Sequence, residues 1–292
     1  MGQAPPSAEN LVASPPYKIM KYFGFLARFV VIPLLAIRLL LWWDKQKDRQ
    51  LPETMQNWPE NDVLLAHVVV AVTYTTPWDN YLVASDVWSY DPDLVTGWTI
   101  GWVPIEEYSF FVLQSLMTGS WLQYLARRIP ADPSDGKSHP VARAIATGTL
   151  SLVWLWSMRS MISGAPDKSY RDLILTWALP PIMLQVGFGG DILWRNRRLI
   201  ATSILTSTTY LGVTDSLAIE SGTWRINPAK TIEHEVIPNL PFEELLFFFL
   251  TNVLLSFGVT LVQTKESEKR LPAIVRAPYY RLKARRLNKS KE

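Results

Sequence analysis

Residues 104–111 read PIEEYSFF and residues 241–248 read PFEELLFF, so a proline, a pair of glutamates and a pair of phenylalanines recur at one spacing. The likeness continues upstream, because Asp79 precedes Trp88 by nine positions and Asp215 precedes Trp224 by nine. From the aspartate to the first glutamate there are 27 positions in one copy and 28 in the other. Carboxylates beside apolar helices are costly to bury, so a duplication that keeps them in register indicates that they have a function.

The two copies lie among long apolar stretches. The chain has 292 residues, of which 48% are hydrophobic, and a membrane crossing needs about 20 mostly apolar residues. The pattern predicts an all-α fold, a polytopic integral membrane helix bundle of about seven transmembrane helices, of which the fifth is short. The stretches are 17–43, 63–83, 103–125, 141–162, 173–188, 199–218 and 240–262.

Basic residues give an independent test of this topology, because cytoplasmic loops collect Lys and Arg. If the stretches alternate, the opposite loops carry few basic residues, and we expect an outside N-terminus and a cytoplasmic C-terminus. The tail explains much of the pI near 9.0, and we expect it to orient the protein or touch anionic lipid rather than bind nucleic acid. The basic residues of the expected cytoplasmic side are Lys45, Lys47, Arg49, Arg127, Arg128, Lys137, Arg195, Arg197 and Arg198, with ten more in the tail.

The domain organisation follows from these assignments. Residues 1–16, rich in Pro, Ser and Ala, are expected to be disordered. A membrane domain is expected over 17–263, with repeat one at about 63–126 and repeat two at about 199–263, followed by a basic cytoplasmic tail over 264–292. Alternating crossings give both copies the same orientation, so the sequence predicts a parallel internal repeat whose carboxylates share one depth near the outer face.

Each glutamate pair is expected in the first turn of a helix, at its third and fourth positions, because proline is favoured at the first. Helix capping explains many such carboxylates. Each Glu is followed four residues later by Phe, however, so acids and aromatic rings share helical faces. Neighbouring helical residues point about 100° apart, so only one Glu of each pair can face a given cavity. A protonated acid beside an ionised carboxylate could donate and remove protons.

The tryptophans have two interpretations. Trp and Tyr collect at membrane interfaces as anchors, and they can also line a cavity and offer ring faces to a cation. Repetition singles out Trp88 and Trp224 for the second role.

Several chemistries lack support in the sequence. There is no cysteine, and no glycine-rich nucleotide fingerprint follows a strand. The three histidines are scattered, although residues 233–235, which read EHE, leave a metal site open. We predict that no cofactor and no metal is needed.

Residues 76–114 and 210–252 resemble the two halves of the membrane-type carotenoid lycopene cyclase domain. This family occurs as paired small bacterial subunits, as single chains and as the front half of fungal cyclase/phytoene synthases. The resemblance covers roughly residues 17–262, with both repeats in one chain and no synthase part. It rests on residues 77–81 (PWDNY), 88–90 (WSY), 104–107 (PIEE), 240–244 (LPFEE) and 251–252 (TN).

The resemblance implies cyclisation of the linear ends of lycopene to β rings, giving γ-carotene and then β-carotene without net redox change. A carotenoid hydratase, another membrane isoprenoid cyclase, and a non-catalytic seven-helix receptor or transporter remain alternatives. The number of rings closed, the ring type, the acid and base assignments and the oligomeric state stay open. The expected catalytic residues are Asp79, Glu106, Glu107, Asp215, Glu243 and Glu244, and the expected substrate-binding residues are Trp78, Asn80, Trp88, Tyr108, Phe110, Phe111, Trp224, Phe247 and Phe248.

Overall fold

The computed structural model describes residues 20–133, 138–163 and 169–289, and this part of the chain is mostly helical. The segment 1–16, expected to be disordered, lies outside the described residues.

Long helices follow the apolar stretches. The first is continuous over Tyr22–Gln46 and consists of α1, a π-helical turn and α2. Its parts are α1 Tyr22–Leu26, the turn Ala27–Val31 and α2 Ile32–Gln46. The others are α3 Glu60–Ala84, α4 Ile105–Ala126, α5 Pro140–Ile162, α6 Ser169–Arg195, α7 Arg197–Glu220, α8 Phe242–Gln263 and α9 Ala273–Lys289.

Four of these helices are long and apolar enough to cross a membrane: Tyr22–Gln46, Pro140–Ile162, Tyr170–Arg195 and Phe242–Gln263. The fifth apolar stretch looked short in the sequence, yet it lies within α6, which has 27 residues and continues past Pro180, Pro181 and an irregular Gly189.

The connections contain β structure, which the expected all-α class omits. Within the described ranges, six strands form three two-stranded antiparallel ladders, β1 with β4, β2 with β3 and β5 with β6. Strands of two or three residues are too short to show an alternating pattern, so the sequence could not reveal them. They are β1 Trp88–Tyr90, β2 Thr99–Ile100, β3 Val103–Pro104, β4 Trp224–Ile226, β5 Glu235–Ile237 and β6 Leu240–Pro241.

The β1–β4 ladder joins the loops of the two sequence copies. Ser89 lies opposite Arg225, and these residues are 136 positions apart, as are Asp79 and Asp215. Each copy therefore pairs with its own counterpart, and the two loops meet about a local two-fold axis.

Helix α8 packs against α3, α4, α6 and α7. At the contact with α4 and α7, the buried Asn252 side chain accepts hydrogen bonds from Gln114 at 3.3 Å and Thr118 at 3.1 Å. Its amide donates to Thr208 Oγ1 at 3.1 Å. Such side-chain amides and hydroxyls join helices where few other polar partners exist.

Residues 265–289 contact the segment that precedes and begins α3. A 3₁₀ helix over Lys265–Arg270 leads to α9, where the Tyr279 hydroxyl accepts a 2.7 Å hydrogen bond from Trp58 Nε1. Arg286 forms a bidentate ion pair with Asp62. Burial raises the pKa of Tyr279 to about 12, so this phenol stays protonated at neutral pH.

Candidate active site

The two copies share a geometry that begins with their prolines, each of which has extended backbone. Pro104 and Pro241 end β3 and β6, and helices α4 and α8 begin one residue later. The glutamates therefore occupy the second and third helical positions. The expected third and fourth positions were wrong by one, because the prolines belong to the strands.

The first glutamate of each pair holds a loop. Glu106 Oε1 accepts a 2.6 Å hydrogen bond from the Thr96 backbone N–H. In the second copy, Glu243 Oε1 accepts a 2.8 Å bond from the Ile232 N–H. Both side chains are buried, and each fastens the preceding interhelical loop to the start of its helix.

The second glutamate of each pair faces tyrosines instead. Glu107 Oε2 accepts hydrogen bonds from the Tyr22 hydroxyl at 2.5 Å and from the Tyr90 hydroxyl at 3.1 Å. Glu244 Oε1 accepts one from the Tyr170 hydroxyl at 2.7 Å. Burial, and then the nearby Glu107, raise the pKa of Tyr90 well above its usual value, so this hydroxyl remains a donor.

Glu107 and Glu244 meet at one narrow cavity of about 20 Å³. This is room for about one water molecule, so an end group of a larger ligand can enter only if side chains move. Acids and aromatic rings from both copies share this space. Its lining consists of Tyr22, Trp88, Tyr90, Glu107, Phe110, Asp215, Trp224, Ile226, Glu244, Phe247 and Phe248.

The two aspartates lie beside these glutamates but differ in their partners. Asp215 Oδ1 accepts a 2.9 Å hydrogen bond from Trp224 Nε1. Asp79 is fully buried, and neither of its carboxyl oxygens has a hydrogen-bond partner among the described residues. Asp79 interacts electrostatically with Glu107, and Asp215 with both Glu244 and Glu107, so the acids of the two copies form one group.

Aromatic rings enclose this group. The Trp88 ring lies edge-on to Trp78 and to Phe247, with centroids 5.7 Å away in each case. Phe110 of one copy and Phe248 of the other lie edge-on at 6.2 Å. The rings offer both faces and edges toward the space between the carboxylates.

Seven of the expected site residues lie outside the cavity lining, namely Trp78, Asp79, Asn80, Glu106, Tyr108, Phe111 and Glu243. Asn80 donates to the Tyr108 hydroxyl at 3.0 Å and accepts from the Trp102 N–H at 2.8 Å, so Asn80 and Tyr108 fix the loop between α3 and α4. Trp78 and Phe111 contact Phe247 from behind, with ring centroids 5.7 and 6.4 Å away.

The sequence reasoning missed the three tyrosines. Tyr90 lies two residues after the repeated Trp88, so proximity to the motif could have suggested it. Tyr22 and Tyr170 stand at the starts of the helices that precede each copy, 148 positions apart. The aspartates and tryptophans repeat at a spacing of 136 residues, whereas these tyrosines repeat at 148. A search for repeats at a single spacing therefore does not find the tyrosine pair.

Residues 233–235, which the sequence left open as a metal site, do not form a cluster of metal ligands. No group of three or more His, Asp or Glu side chains that could hold a metal ion occurs within the described ranges.

Comparison with known proteins agrees with these motifs. The lycopene cyclase family profile matches residues 57–125 and 167–262. The chain is 37% identical over 242 residues to a Halobacterium salinarum protein named lycopene beta-cyclase, covering 82% of this chain and 94% of that protein. No solved structure matches.

Fungal relatives are longer. A Sporisorium reilianum protein named bifunctional lycopene cyclase/phytoene synthase is 36% identical over 194 residues, which cover 64% of this chain and 28% of that protein. A Podospora anserina protein of the same name is 33% identical over 201 residues, covering 66% and 34%. The chain belongs to the lycopene cyclase family.

Proposed function

We propose that this protein is a lycopene β-cyclase, which converts the linear end groups of lycopene to β rings by acid–base chemistry. The observation that carries the proposal is the meeting of Glu107 and Glu244 in one aromatic cavity, each held by tyrosine hydroxyls. Membership of the lycopene cyclase family indicates that the substrate of this site is lycopene.

The reaction needs one proton in and one proton out. A carboxylic acid protonates the terminal double bond, the next double bond closes the ring, and the resulting carbocation loses a proton to a carboxylate. Atoms balance, and no electron acceptor is required. Ring faces of the surrounding tryptophans and phenylalanines stabilise the cation.

Hydrogen bonding suggests which acid does which step. Glu107 and Glu244 accept bonds from hydroxyl donors, and such bonds favour a carboxylate. Asp79 has no hydrogen-bond donor among the residues that the structure describes, and an unpartnered buried charge is costly. We therefore propose that Asp79, which lies beside Glu107 but outside the cavity lining, becomes the proton donor when side chains move to admit the end group, with Glu107 and Glu244 as proton acceptors.

The small, apolar cavity supports cyclisation over hydration. A hydratase must admit water to the carbocation, whereas a dry pocket prevents water from trapping it. About 20 Å³ of free space beside Trp88 and Phe247 leaves little room for solvent.

We further propose seven crossings with a parallel internal repeat, the carboxylates near the outer face and the tail in the cytoplasm. Large apolar side chains remain exposed around the helices, including Leu35 at 62%, Leu152 at 69% and Leu184 at 75%, and a bilayer would cover this belt. Under this topology residues 17–263 form the membrane domain, and residues 264–292 form its basic cytoplasmic tail.

The repeat is then longer than the sequence suggested. Tyr22 in the first helix and Tyr170 in α6 occupy equivalent places, since each donates to the second glutamate of its copy. Each repeat would therefore contain three helices, with α5 between the two repeats.

Product analysis tests the proposed function. Membranes containing this protein are incubated with lycopene in heavy water, and the carotenoids are separated by chromatography and mass spectrometry. We expect γ-carotene and β-carotene, with one deuterium for each ring formed. A hydroxylated product would identify a hydratase, and unchanged lycopene would contradict an enzymatic role.

A further inference from the structure

Two pairs of helices at the edge of the bundle are bridged by equivalent tyrosines. The Tyr74 hydroxyl on α3 donates a 2.8 Å hydrogen bond to the Trp177 carbonyl on α6. The Tyr210 hydroxyl on α7 donates a 2.9 Å bond to the Phe29 carbonyl in the first helix. The tyrosines are 136 positions apart and the acceptors 148, as in the rest of the repeat. We call the two junctions the α3–α6 seam and the α7 seam.

Both seams lead from the surface of the bundle toward the carboxylates. Tyr74 and Tyr210 are 41% and 37% exposed. Each lies five residues before its aspartate, which is about 7.5 Å along a helix. An apolar ligand dissolved in a bilayer could therefore reach Glu107 or Glu244 from the side.

The α3–α6 seam is filled by stacked indoles. Trp78 lies parallel to Trp177, with centroids 4.6 Å apart, and its Nε1 donates to the Leu173 carbonyl at 3.2 Å. Trp78 also stacks on Phe247. An indole that is hydrogen-bonded and stacked against two other rings is poorly suited to move aside.

The α7 seam is built differently. Thr214 stands at the position of Trp78, 136 residues further on, so the large ring is missing from α7. Phe25 instead lies edge-on to Trp224 with centroids 4.9 Å apart, as Trp78 lies edge-on to Trp88 at 5.7 Å in the other copy. Phe25 belongs to the one-turn helix α1, which the π-helical turn Ala27–Val31 follows. Single π-helical turns inside helices are frequent at functional sites.

We infer that the end group of the carotenoid enters the cavity through the α7 seam, past Tyr210, Thr214 and Phe25. Phe25 packs against Tyr22 and Trp224, and both of these rings line the cavity. The inference rests on the proposed function for the identity of the ligand. Tyr210 closes the seam through its hydrogen bond to the π-helical turn, and movement of Phe25 opens it.

Thiol labelling tests the route without depending on turnover, because the chain has no cysteine. Tyr210→Cys and its matched control Tyr74→Cys are each treated with N-ethylmaleimide in lipid nanodiscs, with and without lycopene. We expect lycopene to slow labelling of Tyr210→Cys and to leave Tyr74→Cys unchanged. Equal protection at both positions, protection at Tyr74→Cys alone or protection at neither would overturn the inference.

A blocking variant gives a second measurement. Thr214→Trp places in the α7 seam the side chain that fills the other seam, whereas Val213→Trp adds the same ring at a position that is 48% exposed. We expect kcat/KM for lycopene to fall by about tenfold or more for Thr214→Trp, with little change for Val213→Trp. If Thr214→Trp does not fold, the labelling experiment decides. If lycopene protects Tyr210→Cys from labelling but the wild-type protein forms no product, the proposed activity is contradicted and the entry route is retained.

Discussion

The Tyr22 hydroxyl donates a 2.5 Å hydrogen bond to Glu107 Oε2, and 148 residues later Tyr170 has the same relationship to Glu244. The two glutamates are thus oriented by residues from helices outside the recognisable motifs. This arrangement predicts that the tyrosines position the carboxylates rather than take part in the chemistry.

Tyr22→Phe and Tyr170→Phe should therefore lower kcat while leaving KM for lycopene almost unchanged. A hydrogen bond to a charged group is worth about 1.5–3 kcal/mol, so we expect kcat to fall by about 10- to 100-fold. Tyr124→Phe, near the far end of α4, is the matched control and should behave like the wild type. A rise in KM with unchanged kcat would show that the tyrosines bind substrate instead.

Asp79 supplies a test of the proton donor. Asp79→Asn keeps the shape of the side chain and removes its exchangeable acid, and a positioned proton transfer is typically worth about 10² to 10⁴ in rate. We expect a loss of that size in steady-state turnover. Because neither oxygen has a hydrogen-bond partner among the described residues, folding should change little, as monitored by gel filtration. Near-normal turnover would assign the proton to another acid.

The Asn252 network makes a prediction about stability. Asn252→Ala leaves Gln114, Thr118 and Thr208 without their shared partner, and we expect about 1–3 kcal/mol of destabilisation from these buried groups. Thermal unfolding in detergent measures it. Ser256→Ala, which removes only a long 3.4 Å contact with Ser203, should cost less. Equal melting temperatures for the two variants would mean that the network contributes little.

The orientation of the chain in the membrane can be tested with reporter fusions after Lys137 and after Lys265. Both positions should score as cytoplasmic, because the basic residues cluster on that side. An outside score for either fusion would contradict the parallel repeat. It would also contradict the common membrane depth proposed for Asp79 and Asp215.

The sequence could predict the helices and the repeated glutamates. It could not predict where the helices begin or which tyrosines contact the glutamates, and the reasons are physical. Apolar length predicted the helices, and repetition identified both glutamate pairs with Trp88 and Trp224. Which glutamate faces the cavity depends on where each helix begins, and that is decided by two-residue strands that leave no pattern. The tyrosine partners come from helices that repeat at a different spacing, so only the folded chain brings them to Glu107 and Glu244.

The most direct test of the account compares the four glutamates as matched pairs. Lycopene turnover is measured for Glu107→Gln and Glu244→Gln, which change the cavity, and for Glu106→Gln and Glu243→Gln, which change the loop contacts at Thr96 and Ile232. The account predicts a loss of about 10²-fold or more for the first pair. For the second pair it predicts about 1 kcal/mol of lost stability with most activity kept. Equal losses in both pairs, or near-normal turnover in all four variants, would contradict the claim that Glu107 and Glu244 carry the reaction.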